Sequence, residues 1–239
     1  MKAVSGGAEE GAAGGLAVVF LDGEYEDGAY YRRLAQGAAM LVAADGGARF
    51  LLDQGLRPDI VVGDFDSLAA ADVERLAEAG VELARHPVRK DQTDGELAAD
   101  EAVRRGAVEL VLAGALGALD HTLGHLALLR RLSASGLRAR IASPRLSVCV
   151  LVAPAAIALS GTPGTRVSLV PLGGDSLVTL TGLDYTLERE TLPADSCLGL
   201  GNSVAAGAQA RIRLHGGVAA VLAEDGGEVF APTPMAVGG

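Results

Sequence analysis

The sequence predicts an α/β domain with a mainly parallel sheet over residues 15–145, followed by a smaller all-β sandwich domain over 146–239, behind a flexible tail at 1–14. Two observations carry the prediction. Up to residue 142, short apolar runs of β character alternate with Ala/Leu-rich helical stretches, the pattern of parallel strands joined by crossover helices. Past Ser147 helical periodicity fades, and β-branched runs separated by Gly, Pro and Asp turns replace it.

The elements follow in chain order. Residues 1–15 are a Gly/Ala/Glu stretch without the basic-then-apolar order of a secretory leader. LAVVF (16–20), MLVAA (40–44), DIVVG (59–63), VELAR (81–85), VELVLAG (108–114) and LRARIA (137–142) read as strands. Helical segments fit between them at about 30–36, 48–54, 69–79, 94–104 and 121–134. The later strands are TRVSLVPL, SLVTLTG, ARIRLHG and VAAVLAE. No internal repeat suggests a solenoid. In a parallel sheet of this kind, ligands sit beyond the carboxyl ends of the strands.

Composition narrows the function classes. With 239 residues, 49% of them hydrophobic, the chain can bury a core without staples. Its two cysteines, Cys149 and Cys197, lack zinc spacing and are expected to be inert. No apolar run approaches the roughly 18 residues that span a membrane, so the expected compartment is the cytoplasm. A net charge of -10 argues against nucleic acid or an anionic membrane as partner. It leaves room for an anionic small substrate carried by a divalent metal on clustered carboxylates. Trp is absent and aromatics are 3%, which removes stacking platforms for bases.

The distribution of Asp therefore decides the chemistry. After the third strand comes GDFDS, where an extended backbone would aim Asp64 and Asp66 at one ion and turn Phe65 into the packing. The competing reading is an ordinary acidic loop in which Asp66 or Ser67 caps the next helix. RKDQTDGE follows the fourth strand. Thr93 and Glu96 have capping-box spacing, which leaves Lys90 and Asp91 as a cation and a third carboxylate suited to a metal-bound phosphate chain.

AGALGALDH places Gly114 and Gly117 after a strand, with Asp120 and His121 at a helix start; backbone N–H groups in such a turn can approach phosphate. The same residues also suit a plain Gly turn with Asp120 as N-cap and His121 as a packed imidazole. The spacing matches neither of the common dinucleotide or P-loop fingerprints. ADGGA (Asp45, Gly46, Gly47) likewise follows a strand and precedes a helix. Four strand ends thus deliver Asp, Gly or both to one edge, which favours a single polyphosphate and metal site over four unrelated turns.

With these motifs in order, the chain resembles the thiamine pyrophosphokinase family from about Leu16 to Glu224: ADGGA, RPDIVVGDFDSL, KDQTD, the Gly loop with DHTLGH, then SLVPLGG, LTGLDY and GLGNS. The resemblance implies an N-terminal α/β domain, a C-terminal β-sandwich, and a homodimer with active sites at the subunit interface. It also implies transfer of a diphosphate from ATP to the thiamine hydroxyl, releasing AMP, with Mg2+ as cofactor. On it, Asp64, Asp66 and Asp91 are the metal ligands, and these three with Asp94 and Asp120 are the catalytic set. Asp45, Gly46, Lys90, Gln92, Thr93, Gly114, Gly117 and His121 surround ATP, while Asn202 and Ser203 contact thiamine.

Three positions depart from the family pattern: Leu119 stands where an Arg is common, His125 replaces an Asn, and Gly201 replaces a Ser. Arg89 is a candidate to supply the missing phosphate contact. The departures keep in view a diphosphokinase for another alcohol, such as a pterin carbinol. Two further rivals are a non-catalytic nucleotide-binding module and a metal-dependent phosphohydrolase. Asp94 and Asp120 are both candidates to take the hydroxyl proton.

Overall fold

A computed structural model describes residues 15–87 and 91–224, together with the backbone of the short strands at 228–229 and 233–234. The tail at 1–14 lies outside the described residues, as do Arg89 and Lys90.

The first half alternates strand and helix: β1 (Leu16–Phe20), α1 (Gly28–Gln36), β2 (Met40–Ala44), α2 (Gly47–Asp53), β3 (Ile60–Gly63), α3 (Ala70–Glu78), β4 (Glu82–Arg85), α4 (Asp94–Arg104), β5 (Glu109–Ala113), α5 (Leu119–Ala134) and β6 (Arg138–Ala142). The second half is β7 (Leu146–Val152), β8 (Ala155–Ser160), β9 (Arg166–Pro171), β10 (Ser176–Thr181), β11 (Leu187–Leu192), β12 (Asn202–Ser203), β13 (Arg211–Gly216), β14 (Val218–Glu224), β15 (Glu228–Val229) and β16 (Thr233–Pro234).

Strands β4-β3-β2-β1-β5-β6 are neighbours in that order, and every pair among them is parallel. The buried aliphatic runs explain this. Val18, Val19 and Phe20 of β1 and Val61 and Val62 of β3 are fully buried, as strands covered by helices on both faces require. Ala98, Ala99 and Ala102 of α4 pack with Leu128, Leu129 and Leu132 of α5 on one face, and Leu51 of α2 with Leu76 of α3 on the other.

The sheet does not stop at the change of character. β6 pairs antiparallel with β7 through Arg140↔Cys149, Ile141↔Val148 and Ala142↔Ser147, and the ladder continues through β14 and β9 to β12, giving ten strands. A second, six-stranded antiparallel sheet, β11-β10-β13-β8 with β15 and β16, closes over the antiparallel half. Between the two sheets lie Cys149, Leu151, Leu169 and Val221 from one side and Ile157, Val178, Ile212 and Leu214 from the other. The opposite faces of β7 and β14 (Val148, Val150, Ala220) belong to the core beneath α5. That double burial is why β7 and β14 read as near-continuous apolar runs, whereas β9, β10 and β13 alternate.

Among the described residues no helix is long and apolar enough to cross a membrane. Cys149 is buried and Cys197 exposed.

Candidate functional site

Because β1, β2, β3 and β5 run parallel and in register, the loops that follow them share one edge. The β2–α2 turn begins with Asp45, whose N–H donates to the Val62 carbonyl of β3 at 2.9 Å, so the neighbouring strand fixes the turn. Asp45 is in the left-handed region at φ 42° and is only 6% exposed, and its buried Oδ1 has no hydrogen-bond partner among the described residues. The β3–α3 loop brings Asp64 and Asp66 beside it. One carboxylate oxygen from each of Asp45, Asp64 and Asp66 lies within 4.8 Å of the others.

The route to that convergence differs from an extended segment. Phe65 adopts φ 67°, and the Asp66 N–H donates back to Asp64 Oδ1 at 3.1 Å, so a tight turn and not strand alternation aligns the two carboxylates. Phe65 is buried, with the Arg85 guanidinium stacked 4.6 Å from its ring centroid. Arg85 Nη1 also donates to the Asp64 carbonyl at 2.9 Å. Two left-handed non-glycine residues, Asp45 and Phe65 in adjacent turns of the acidic edge, represent about 1–3 kcal/mol of strain each, held by packing, as functional sites commonly hold it. The capping alternative for Asp66 or Ser67 does not hold, since α3 starts after Ala69 with no side-chain cap.

Two further carboxylates border the group. A Cβ on Gly63 would lie 3.1 Å from Asp45 Cβ and 3.2 Å from Asp94 Oδ1, which puts Asp94, in the first turn of α4, against Asp45 across the bare Gly63. Asp22, after β1, occupies the space a side chain on Gly46 would need. Sequence reasoning missed Asp22, although its Asp-Gly pair directly after a strand repeats the signal seen at Asp45. The residues fit a divalent cation: hard oxygen donors converge, and the buried Asp45 oxygen lacks the partner that burial demands.

The approach to α4 is arranged differently. Thr93 and Glu96 form the capping box, with Glu96 N–H to Thr93 Oγ1 at 3.2 Å and Thr93 N–H to Glu96 Oε2 at 3.0 Å, so the Thr93 hydroxyl is committed to the helix. Gln92 Nε2 donates to Asp100 at 2.9 Å. Asp91 is exposed and lies outside the three-carboxylate group. Lys90 lies outside the described residues.

The β5–α5 loop supplies the neutral part of the edge. Gly114 (φ 72°) has no room for a side chain because the Tyr25 ring fills that space, and Gly117 stands at φ 149°. Helix α5 begins at Leu119, so Asp120 and His121 lie within its first turn; its N-cap, Ala118, makes no side-chain bond. Among the described residues the Leu119 and Asp120 amides of α5 have no side-chain acceptor, the condition in which a helix start receives an anion, whereas the His121 amide is already taken. Asp120 Oδ1 accepts the His121 N–H at 2.9 Å and does not cap the helix. A cavity of about 230 Å³ lined by Glu24, Tyr31, Ala115, Gly117 and Arg145 flanks the loop.

In the second half, Asn202 is buried, with its carboxamide turned on the chain itself. Oδ1 accepts the Tyr185 N–H at 3.0 Å and the Ser203 N–H at 2.9 Å, and Nδ2 donates to the Tyr185 carbonyl at 2.8 Å. The Ser203 hydroxyl donates to Asp184. Both residues thus brace the Asp184–Tyr185 segment, which walls an apolar cavity of about 450 Å³ together with Leu169, Leu198 and Leu200. Tyr185 (75% exposed), Leu198 (68%) and Leu200 (50%) leave its rim unusually apolar. No sequence pattern marks this rim, because isolated Leu and Tyr in Gly-rich turns carry no periodicity.

Comparison with known proteins agrees across the chain. Residues 31–141 match the family model described as thiamin pyrophosphokinase, catalytic domain, and residues 156–219 the one described as thiamin pyrophosphokinase, vitamin B1 binding domain. A thiamine pyrophosphokinase of Bacillus subtilis (strain 168) is 28% identical over 166 residues, spanning 68% of this chain and 77% of the relative. The crystal structure of thiamine pyrophosphokinase from Bacillus subtilis superposes with a TM-score of 0.74 at 22% identity, covering 87% of this chain and 98% of that one. The one from Geobacillus thermodenitrificans gives 0.73 at 26%, covering 88% and 97%.

Proposed function

The chain belongs to the thiamine pyrophosphokinase family of ATP-dependent diphosphotransferases, and on that premise we propose how its own residues perform the reaction. The observation that carries the reading is the convergence of Asp45, Asp64 and Asp66, one oxygen of Asp45 being buried without a partner, at the edge shared by the Gly loop and the start of α5.

Asp45, Asp64 and Asp66 would hold Mg2+, and Asp91, exposed just before α4, would be a further ligand. When bound, the ion would supply positive charge to offset the repulsion between carboxylates and phosphates: two unit charges 4 Å apart oppose each other by about 4 kcal/mol at an effective dielectric near 20. Gly114 and Gly117 let backbone amides approach the phosphates, and the uncapped start of α5, with Asp120 and His121 in its first turn, faces them. Lys90 and Gln92, before α4, and Gly46 complete the ATP surround; Thr93 contributes by fixing where α4 begins. Asp94, across the bare Gly63 from Asp45, is positioned to take the proton of the attacking hydroxyl. Attack falls on the β-phosphorus, and AMP leaves. Most of the acceleration comes from positioning and charge stabilisation.

Thiamine, a flat and largely apolar cation, is received by the rim of the 450 Å³ cavity, whose Tyr185 wall Asn202 and Ser203 hold in place. The working unit is a cytoplasmic homodimer, the exposed Tyr185, Leu198 and Leu200 meeting the partner beside the site.

Incubation with ATP, Mg2+ and thiamine, with products identified by mass, tests the reading. AMP and thiamine diphosphate in equal amounts are expected. ADP, or ATP loss without an alcohol acceptor, would overturn it.

A further inference from the structure

We propose that His125 is a positioning residue that pins the Gly114–Gly117 loop in the shape the phosphates meet. Resting on the reaction assigned above, the inference names a residue outside the set that touches substrate.

His125 sits on the second turn of α5, and its Nδ1 lies 2.7 Å from the Ala115 carbonyl. A carbonyl only accepts, so Nδ1 carries the proton and Nε2 keeps its lone pair. The bond runs from the helix back to the loop that precedes it, between residues ten apart in sequence. It holds the first of the two carbonyls between Gly114 and Gly117, both at positive φ, so without an anchor this stretch has wide conformational choice.

The other side of the ring meets a second site element. A Cβ on Gly95 would lie 3.8 Å from His125 Nε2, and Gly95 follows Asp94 in the first turn of α4. The imidazole therefore stands between the phosphate loop and the turn that carries the Asp94 carboxylate. Burial of the ring, helped by His121 at 6.4 Å between centroids, lowers its pKa below the ordinary imidazole value. The neutral tautomer is thus kept at physiological pH, and no buried charge is brought against α4.

The stereochemistry of the anchor makes it testable. Nδ1 of His is bonded to Cγ, as is Nδ2 of Asn, so His125→Asn can place an N–H at the same point. His125→Gln carries its amide one bond too far, and His125→Leu fills similar space with no donor. Amide hydrogen exchange at Leu116 and Gly117 in the ligand-free protein reads the loop directly, and steady-state kinetics reads the consequence.

The expected result is faster exchange at both amides in the Leu and Gln variants, with protection recovered in Asn. KM for ATP should rise about tenfold in Leu, the size of one lost hydrogen bond, while KM for thiamine stays within about twofold. Unchanged exchange in His125→Leu overturns the proposal, as does an equal rise in both KM values. If the Leu variant does not fold, the Asn and Gln variants decide: equal exchange and equal KM for ATP in these two would show that the ring only fills space. Failure of the unaltered chain to form thiamine diphosphate would count against the assigned reaction and leave the exchange measurement to judge the anchor alone.

Discussion

Changing Asp45 to Asn separates stability from function at the acidic site. Asn is among the few residues that accept the left-handed backbone found at φ 42°, so the substitution removes charge without disturbing the turn. In the metal-free protein Asp45 opposes Asp64 and Asp66, whose carboxylate oxygens lie within 4.8 Å. At that separation each pair costs about 3.5 kcal/mol at an effective dielectric of 20. Asp66 is exposed and Asp64 only half-buried, so water and salt reduce this to about 1–2 kcal/mol in total. The metal-free variant should therefore melt about 2–8 °C higher than the unaltered chain, taking 2–4 °C per kcal/mol for a chain of this size. Mg2+ should then reverse the order: the unaltered chain gains stability as the ion fills its site, and Asp45→Asn gains little. Differential scanning calorimetry in EDTA and at rising Mg2+, with AMP release measured in parallel, gives the comparison. A variant that melts lower in EDTA, or keeps both its Mg2+-dependent shift and its turnover, would refute the reasoning.

Other outcomes follow from the same geometry. Asp64→Asn or Asp66→Asn should lower turnover by orders of magnitude with circular dichroism unchanged, since both side chains serve the turn and not the core; activity retained at saturating Mg2+ would remove the metal role. Asn202→Ala should raise KM for thiamine much more than KM for ATP, because it frees the Tyr185 segment of the distal cavity; parallel rises in a kinetic assay would disprove that division. Gly114→Ala should destabilise the fold by about 1–3 kcal/mol through its positive φ and the overlap with Tyr25, read as a lower urea midpoint. Burial pushes the Cys149 thiol up to about 12, so a thiol reagent at neutral pH should label Cys197 alone until the chain unfolds, and two rapid equivalents would contradict the packing.

Much of this was legible in the residues, for physical reasons. Parallel strands must end together, so Asp45, Asp64 and Gly114, at the ends of β2, β3 and β5, could be assigned to one edge before any coordinates. Thr93 and Glu96 announced their capping box by spacing alone, and the antiparallel half showed itself through the alternation of β9, β10 and β13. What stayed hidden depends on lateral order and on turn shape. Nothing local says that β2 lies beside β3, which is what brings Asp45 within reach of Asp64 and Asp66. Phe65 gave no sign of a left-handed turn, because aromatic residues seldom adopt one. Asn202 could be read as a ligand contact or a turn residue; only its side-chain hydrogen bonds in the folded chain show the amide engaged with Tyr185.

The antiparallel joint between β6 and β7 makes this chain mechanically one body. Strand β7 gives one edge to β6 and the other to β14, and its two faces feed two different cores. A protease nick in the turn at 143–145 would cut the covalent link and leave the ladder intact, so the fragments should elute together and separate only in denaturant. Heating should melt both halves in a single transition, because neither can loosen without exposing an edge of the other. The same joint lies between the acidic edge and the apolar cavity, so within one chain hinge motion should not draw the two regions apart.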